Sequence, residues 1–309
     1  MKSPRAAVAA AMFALIVLGG SCTKAAPDDT FRVAVSIEPQ RYFLDRVTGG
    51  TVPAVVLAGQ GANPHNYEPS PRQLAELGSA SVWFVTGIQF EDALIPRVRE
   101  LYPDLVIIDA SAEAPKRLMG DHDHDDADDH DDGDEDDHGA QAPGARDLLV
   151  DPHTWLGRAG ALAQARAMRD ALAGMDAGNR SSYEAKYDAF ESEVNAVYQR
   201  LAVELAPARG RAVFVYHPAF GYFLDDFGIE QVAVETGGKE PTQRTLAELV
   251  ERAKAEGAKT VFVQKQFPAA AATALAQALG GTVVELDDLA YDWMAVVTGM
   301  GSAIAEALK

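Results

Sequence analysis

The strongest constraint on this chain is that strand and helix patterns alternate along it twice, on either side of a long stretch that carries helical spacing only. Phe31, Val33, Val35 and Ile37 alternate as a strand, Tyr42 to Val47 read as helix ending at Gly49-Gly50, and Val52 to Leu57 read as a buried strand. Ser70-Pro71-Arg72-Gln73 then supplies an N-cap, a proline at the first helical position and a glutamine at the third, opening a helix through Leu77. Val82 to Val85 and Leu105 to Ile108 continue the strands. The second half repeats the style with strands at Arg211 to Tyr216, Gln231 to Val234, Thr260 to Val263 and Thr282 to Leu286, and with a helix placed after a capping box at Thr245 to Glu248. Such alternation buries helices against parallel strands. The expected class is α/β, with two lobes of mainly parallel sheet flanked by helices.

Between the halves, Ala159 to Ala173 and Ser181 to Ala206 both read as helix. The second carries Tyr183, Tyr187, Phe190, Val194, Val197, Leu201 and Leu205 at a spacing of three and four. At 1.5 Å per residue it would extend roughly 39 Å, the height of a domain. It suits a rigid strut between lobes, and periodicity alone suits a surface helix of one lobe equally well. The expected organisation is an N-terminal lobe over 31–178, a linking helix over 179–206 and a C-terminal lobe over 207–309.

Residues 1–22 form a targeting segment: Lys2 and Arg5 are basic, Ala6 to Leu18 are apolar, and Gly19, Gly20 and Ser21 lead into Cys22. Thirteen apolar residues are too few for a bilayer span, which needs about 20. The segment resembles a lipoprotein signal, in which Cys22 would be lipidated. Leu18 stands four residues before the cysteine, where the usual lipobox places its aliphatic residue three before, and a plain secretory signal is the alternative. Either reading exports the chain to the periplasm or the outer face of the membrane, with residues 23–30 as a polar tether. Cys22 is the single cysteine, so no intramolecular disulfide forms.

The formal net charge is -19, and residues 121–138 hold twelve Asp and Glu with no Lys or Arg, leaving about -7 elsewhere. No basic stripe exists to displace counterions from a phosphate backbone, which excludes nucleic acid as a partner. The stretch DHDHDDADDHDDGDEDDH has no apolar periodicity and reads as a disordered His/Asp-rich loop, 120–140, inserted in the first lobe. His122, His124, His130 and His138 lie within it among carboxylates, a composition that binds divalent cations weakly and at several places.

The other three histidines sit in rigid words: GANPHNYEPSP around His65, DPHTWL around His153 and VFVYHPAFGYF around His217. Each stands beside a proline, which stiffens the loop that presents the ring. His65, His217 and Asp287 of VVELDDLAYDW follow predicted strands, and sites in parallel sheets collect at strand carboxyl ends. A lone histidine in such a loop is more often a hydrogen-bonded structural residue, and separations of 88, 64 and 70 residues carry no local ligand code.

The words NPHNYEPSP, DPHTWL, YHPAFGYF and LDDLAYDW, in this order, resemble the zinc-binding members of the cluster A-I solute-binding proteins of bacterial ATP-driven metal importers. The likeness extends to GGKEPT at 237–242 and to the position of the acidic histidine loop before DPHTWL. It implies two α/β lobes joined by one long rigid helix, with a metal ion in the cleft between them. It carries His65, His153 and His217 over as ligands and Asp287 as the fourth. Some zinc members have a glutamate where Pro64 stands, and an aspartate-proline where Asp287-Asp288 stands here.

Three imidazoles and a carboxylate suit a tetrahedral zinc site, whereas manganese prefers more oxygen ligands. The implied activity is capture of Zn2+ by a monomer and delivery to an ABC permease, with membrane contact only through a lipid anchor at Cys22. Alternatives are a manganese- or iron-binding homologue, a stand-alone zinc buffer or adhesin, and a zinc hydrolase. The hydrolase is disfavoured because four protein ligands leave no open position for water. Deleting residues 121–138 is expected to remove weak extra zinc equivalents and leave one tight equivalent, as read by calorimetry on intact and deleted protein.

Overall fold

The structure is a computed structural model that describes residues 31–119, 150–235, 238–267 and 270–308. The signal segment with Cys22, the tether and the histidines at 122, 124, 130 and 138 lie outside the described residues.

Two four-stranded parallel sheets form, from β1 (Val33–Ile37), β2 (Ala54–Ala58), β3 (Val82–Val85) and β4 (Val106–Asp109), and from β5 (Ala212–Val215), β6 (Glu230–Ala233), β7 (Thr260–Gln264) and β8 (Thr282–Leu286). Their orders are β2-β1-β3-β4 and β6-β5-β7-β8, so the second sheet repeats the topology of the first. The central strands are mostly apolar because both faces are covered: β3 and β5 are continuous apolar runs, β1 is broken only by Ser36, and every residue of the three is buried. In each sheet the chain steps outward in one direction and then in the other. The carboxyl ends of β1 and β3, and of β5 and β7, are therefore the points where a crevice opens.

The covering helices are α1 (Glu38–Thr48), α2 (Pro71–Leu77), α3 (Gln89–Leu101), α4 (Arg158–Met175), α5 (Arg180–Glu204), α6 (Gly221–Asp225), α7 (Gln243–Ala255), α8 (Ala270–Ala278) and α9 (Trp293–Ala307). The predicted box at the start of α2 is present, with the Ser70 side chain accepting from the Gln73 backbone. Helix α7 differs from expectation. Its cap is Thr242, which accepts from the Thr245 backbone, so Thr245 stands inside the first turn instead of capping it.

Helix α5 is not a bare strut. Tyr183, Tyr187, Phe190, Val194, Val197 and Leu201 are all buried, in one core cluster with β1, β3, α4, α6 and α9. A second, smaller cluster fills the other side of the β5–β8 sheet, around Phe214, Val232, Leu249, Val261 and Leu275. Two buried indoles tie the halves: Trp155 Nε1 donates to the Asp288 carbonyl at 3.1 Å, and Trp293 Nε1 donates to the Trp155 carbonyl at 2.6 Å. A single antiparallel bridge, Leu118 with Val150, brings together the two ends of the segment that contains the acidic stretch.

The turn that carries Thr154–Leu156 packs directly on the first turn of α4. A Cβ built on Gly160 would lie 1.9 Å from the Thr154 carbonyl oxygen, which is backbone and cannot swing away. Gly160→Ala is expected to destabilise the fold by about 1–3 kcal/mol through overpacking. Gly174→Ala in the same helix meets nothing within 4 Å and is expected to stabilise by about 0.5–1 kcal/mol. Chemical denaturation of the two variants checks the contrast.

Candidate metal centre

Three side chains from distant parts of the chain meet where the sheets end. His65 follows β2, His153 immediately precedes the Thr154–Leu156 turn, and His217 follows β5. One ring nitrogen from each lies within 4.8 Å of the others, and they are the group of three or more metal-ligating side chains found among the described residues. The ring centroids are 4.5 Å (His65–His217), 5.1 Å (His153–His217) and 5.5 Å (His65–His153) apart.

The outer nitrogens decide what the inner ones can do. His153 Nδ1 donates to Asp151 Oδ1 at 2.7 Å, and His217 Nδ1 donates to Glu235 Oε1 at 2.6 Å. Both acids are buried. A carboxylate that accepts the Nδ1–H hydrogen bond keeps the proton on Nδ1 and leaves Nε2 as a bare lone pair, the form that ligates metal. The two Nε2 atoms face each other at 3.3 Å. Two ligands 2.0–2.1 Å from a tetrahedral ion stand about 3.3–3.4 Å apart, so this separation suits an ion between them. His65 has a neutral partner, Gln89 Oε1 at 3.3 Å from its Nδ1, and its backbone N–H donates to Asn63 Oδ1 at 2.9 Å.

The backbone is pinned as firmly as the rings. Asp151 Oδ1 also accepts from the His153 backbone N–H at 3.0 Å, and Gln264 Nε2 donates to the His217 carbonyl at 2.9 Å. Phe267 stacks on the His217 ring at 4.5 Å and 16°. Trp155 lies 5.2 Å from the His153 ring, giving the cluster an aromatic wall. Burial, reinforced by the charges of the other two imidazoles, pushes His65 down to about 3. Burial also lowers His217, with Glu235 opposing it. For Asp151, burial opposes ionisation, but the His153 hydrogen bonds and the Arg117 guanidinium outweigh it and hold the carboxyl below its usual range.

The fourth expected residue lies apart from this group. Asp287 is engaged elsewhere: its Oδ1 accepts from Gln266 Nε2 at 2.9 Å and from the Leu289 backbone N–H at 3.3 Å, and Lys265 Nζ lies 3.8 Å from Oδ2. Its neighbour Asp288 is 5% exposed, has an Oδ1 without a hydrogen-bond partner, and is pushed up to about 6 by burial with the His153 charge acting against that rise. Asp151, Glu235, Gln89 and Phe267 also belong to the site. Among them only Asp151, two residues before a histidine, leaves a local trace in the sequence.

These shifts carry a sign. His65 is depressed when folded, so below about 6.5 the unfolded chain binds a proton that the folded chain refuses until about pH 3, and metal-free stability falls as pH drops through that window. Asp288 and Glu91, raised to about 6 and about 7 by burial, pull the other way. A comparison with His65→Gln isolates the histidine. Relative to wild type, the metal-free variant should gain about 1.4 kcal/mol per pH unit below 6.5 in urea unfolding, and parallel stability profiles would contradict the depression.

Comparisons with known proteins agree with the fold. The family model described as "Zinc-uptake complex component A periplasmic" matches residues 33–307. The zinc-binding lipoprotein AdcA of Streptococcus pneumoniae is 26% identical over 280 residues, 88% of this chain and 52% of that protein. The high-affinity zinc uptake system protein ZnuA of Yersinia pestis is 27% identical over 264 residues, 83% of this chain and 82% of that protein. The chain thus spans about half the length of the streptococcal relative and most of the Yersinia one. A crystal structure of ZnuA superposes with a TM-score of 0.79 at 30% identity, covering 91% of this chain and 100% of that one. A ZnuA deletion mutant with zinc bound gives 0.78 at 31%, covering 91% and 99%. With the model matched from β1 into α9, the chain belongs to the family of periplasmic zinc-uptake complex components.

Proposed function

We propose that this chain captures zinc in the cleft between its two sheets, holds it on His65, His153 and His217, and hands it to a membrane permease. Membership in a family of solute-binding components makes it a binding protein and not an enzyme. The observation that carries the zinc reading is the pair of carboxylate-backed imidazoles whose Nε2 atoms stand 3.3 Å apart. Neutral nitrogen donors fixed at that spacing favour a borderline ion in tetrahedral geometry, while manganese or iron would call for more oxygen. Relatives named for zinc, AdcA and ZnuA, support the same choice.

For the fourth ligand we favour Asp288 over Asp287, because its carboxyl is buried, keeps Oδ1 without a hydrogen-bond partner and feels the His153 charge. No helix among the described residues is long and apolar enough to cross a membrane. In this reading, membrane contact comes through the permease and through lipid on Cys22. We assign 31–178 and 207–309 to the two halves that close on the ion, with α5 as the strut that limits their motion.

His65→Ala, His153→Ala and His217→Ala should each abolish tight one-to-one zinc binding in a competing-chelator titration while the protein remains folded by circular dichroism. Asp288→Asn should weaken binding and Asp287→Asn should not. Unchanged affinity in any histidine variant removes that residue from the site, and tighter manganese than zinc binding overturns the metal.

A further inference from the structure

One arginine joins the support of His153 to the element that follows His217. Arg117 Nη1 lies 3.2 Å from Asp151 Oδ2, and the other oxygen of that buried carboxylate holds His153. Arg117 Nε lies 2.9 Å from Asp225 Oδ2, at the end of α6. Helix α6 begins four residues after His217 in the segment HPAFG, so it shares a short, stiff connection with that ligand. Backbone bonds close the same circuit: Arg117 N–H donates to the Tyr222 hydroxyl at 2.9 Å, the hydroxyl donates to the Asp151 carbonyl at 2.9 Å, and Asp151 N–H donates to the Arg117 carbonyl at 2.8 Å.

The guanidinium also fits a tailored space. It lies against the α-carbon of Gly221, the first residue of α6. A Cβ there would stand 2.3 Å from Arg117 Cζ and 2.4 Å from Nη1, closer than such atoms approach. The planar fork of arginine can engage two carboxylates in fixed directions; a lysine ammonium is a point charge on a flexible stem and cannot hold both with the same geometry.

We propose that Arg117 is a positioning residue that sets the separation of the His153 and His217 nitrogens by locking Asp151 to α6. Without it each imidazole keeps its own carboxylate, but the two halves of the ligand set lose their fixed register. The inference rests on the histidine site proposed above. Outer partners of metal ligands typically contribute 10–100-fold to affinity, and the lock falls in that class although it touches neither imidazole.

The test uses the full chain and four variants in zinc competition titrations, with Co2+ absorption as a readout of coordination geometry and thermal unfolding as the structural control. Arg117→Gln should weaken zinc about 10–100-fold and alter the Co2+ bands. Gly221→Ala should do the same by expelling the guanidinium without removing any charge, and the double variant should be no worse than either single one. Asp225→Asn, which meets no metal-site residue, should lose part of the affinity, and Arg117→Lys should recover part of what Arg117→Gln loses. If wild type binds zinc tightly and Arg117→Gln or Gly221→Ala binds within twofold of it, with unchanged Co2+ bands, the lock is wrong and the histidine site stands. If wild type itself shows no tight zinc equivalent, the site reading falls and the lock with it.

Discussion

Three imidazoles whose ligand nitrogens lie within 4.8 Å of one another, largely out of water, form the constraint on which the rest of the molecule depends. Neutral rings with their lone pairs turned inward repel one another, and protonated rings in so little space repel more. Burial and mutual charge therefore drive His65 down to about 3. Such an arrangement persists only if the surroundings over-determine it. That is the work of Asp151 and Glu235 on the rings, Gln264 on the His217 backbone, and the two indole bonds that fasten one half to the other. A divalent cation bound there would relieve the repulsion that these contacts impose, which would make preorganisation and metal affinity two aspects of one geometry.

The two sheets share an order, and their carboxyl ends supply matching parts of the site. The loop after β2 presents His65 and the segment after β6 presents Glu235. The segment after β3 brings Gln89 to His65, while the end of β7 brings Gln264 to His217. Ligand and support thus change places between β2 and β6, while β3 and β7 supply support in both sheets. His153, which comes from neither sheet, fills the remaining direction and needs its own support from Asp151.

The fold is largely legible from local pattern, because a strand buried on both faces is written as an uninterrupted apolar run. Val82–Val85 is such a run and matches expectation to the residue; the edge strand Thr282–Leu286, with Thr282 and Glu285 exposed, does so as well on its apolar residues alone. Helix α3 is harder to see, since it contains Pro96. Helix α7 is displaced because two threonines three residues apart both resemble a cap and only the backbone geometry chooses Thr242. Proline neighbours pick out His65, His153 and His217, and the structure brings these three together. The Asp287 and Asp288 pair is different. Two adjacent identical side chains point in different directions from one turn, and sequence carries no information about which is turned inward. Glu235, Gln89 and Arg117 escape notice for a related reason: each contacts a partner 18 or more residues away.

The antiparallel bridge between Leu118 and Val150 acts as a clip at the mouth of the segment that bears the acidic histidine stretch. Once two ends are fixed, the entropy of closing the chain between them grows only logarithmically, by about 0.6 kcal/mol per doubling of length. Residues can be added or removed beyond that clip with little thermodynamic consequence for Asp151 and His153 just inside it. A change in the length of the stretch is therefore expected to leave the dimensions of the cleft as they are.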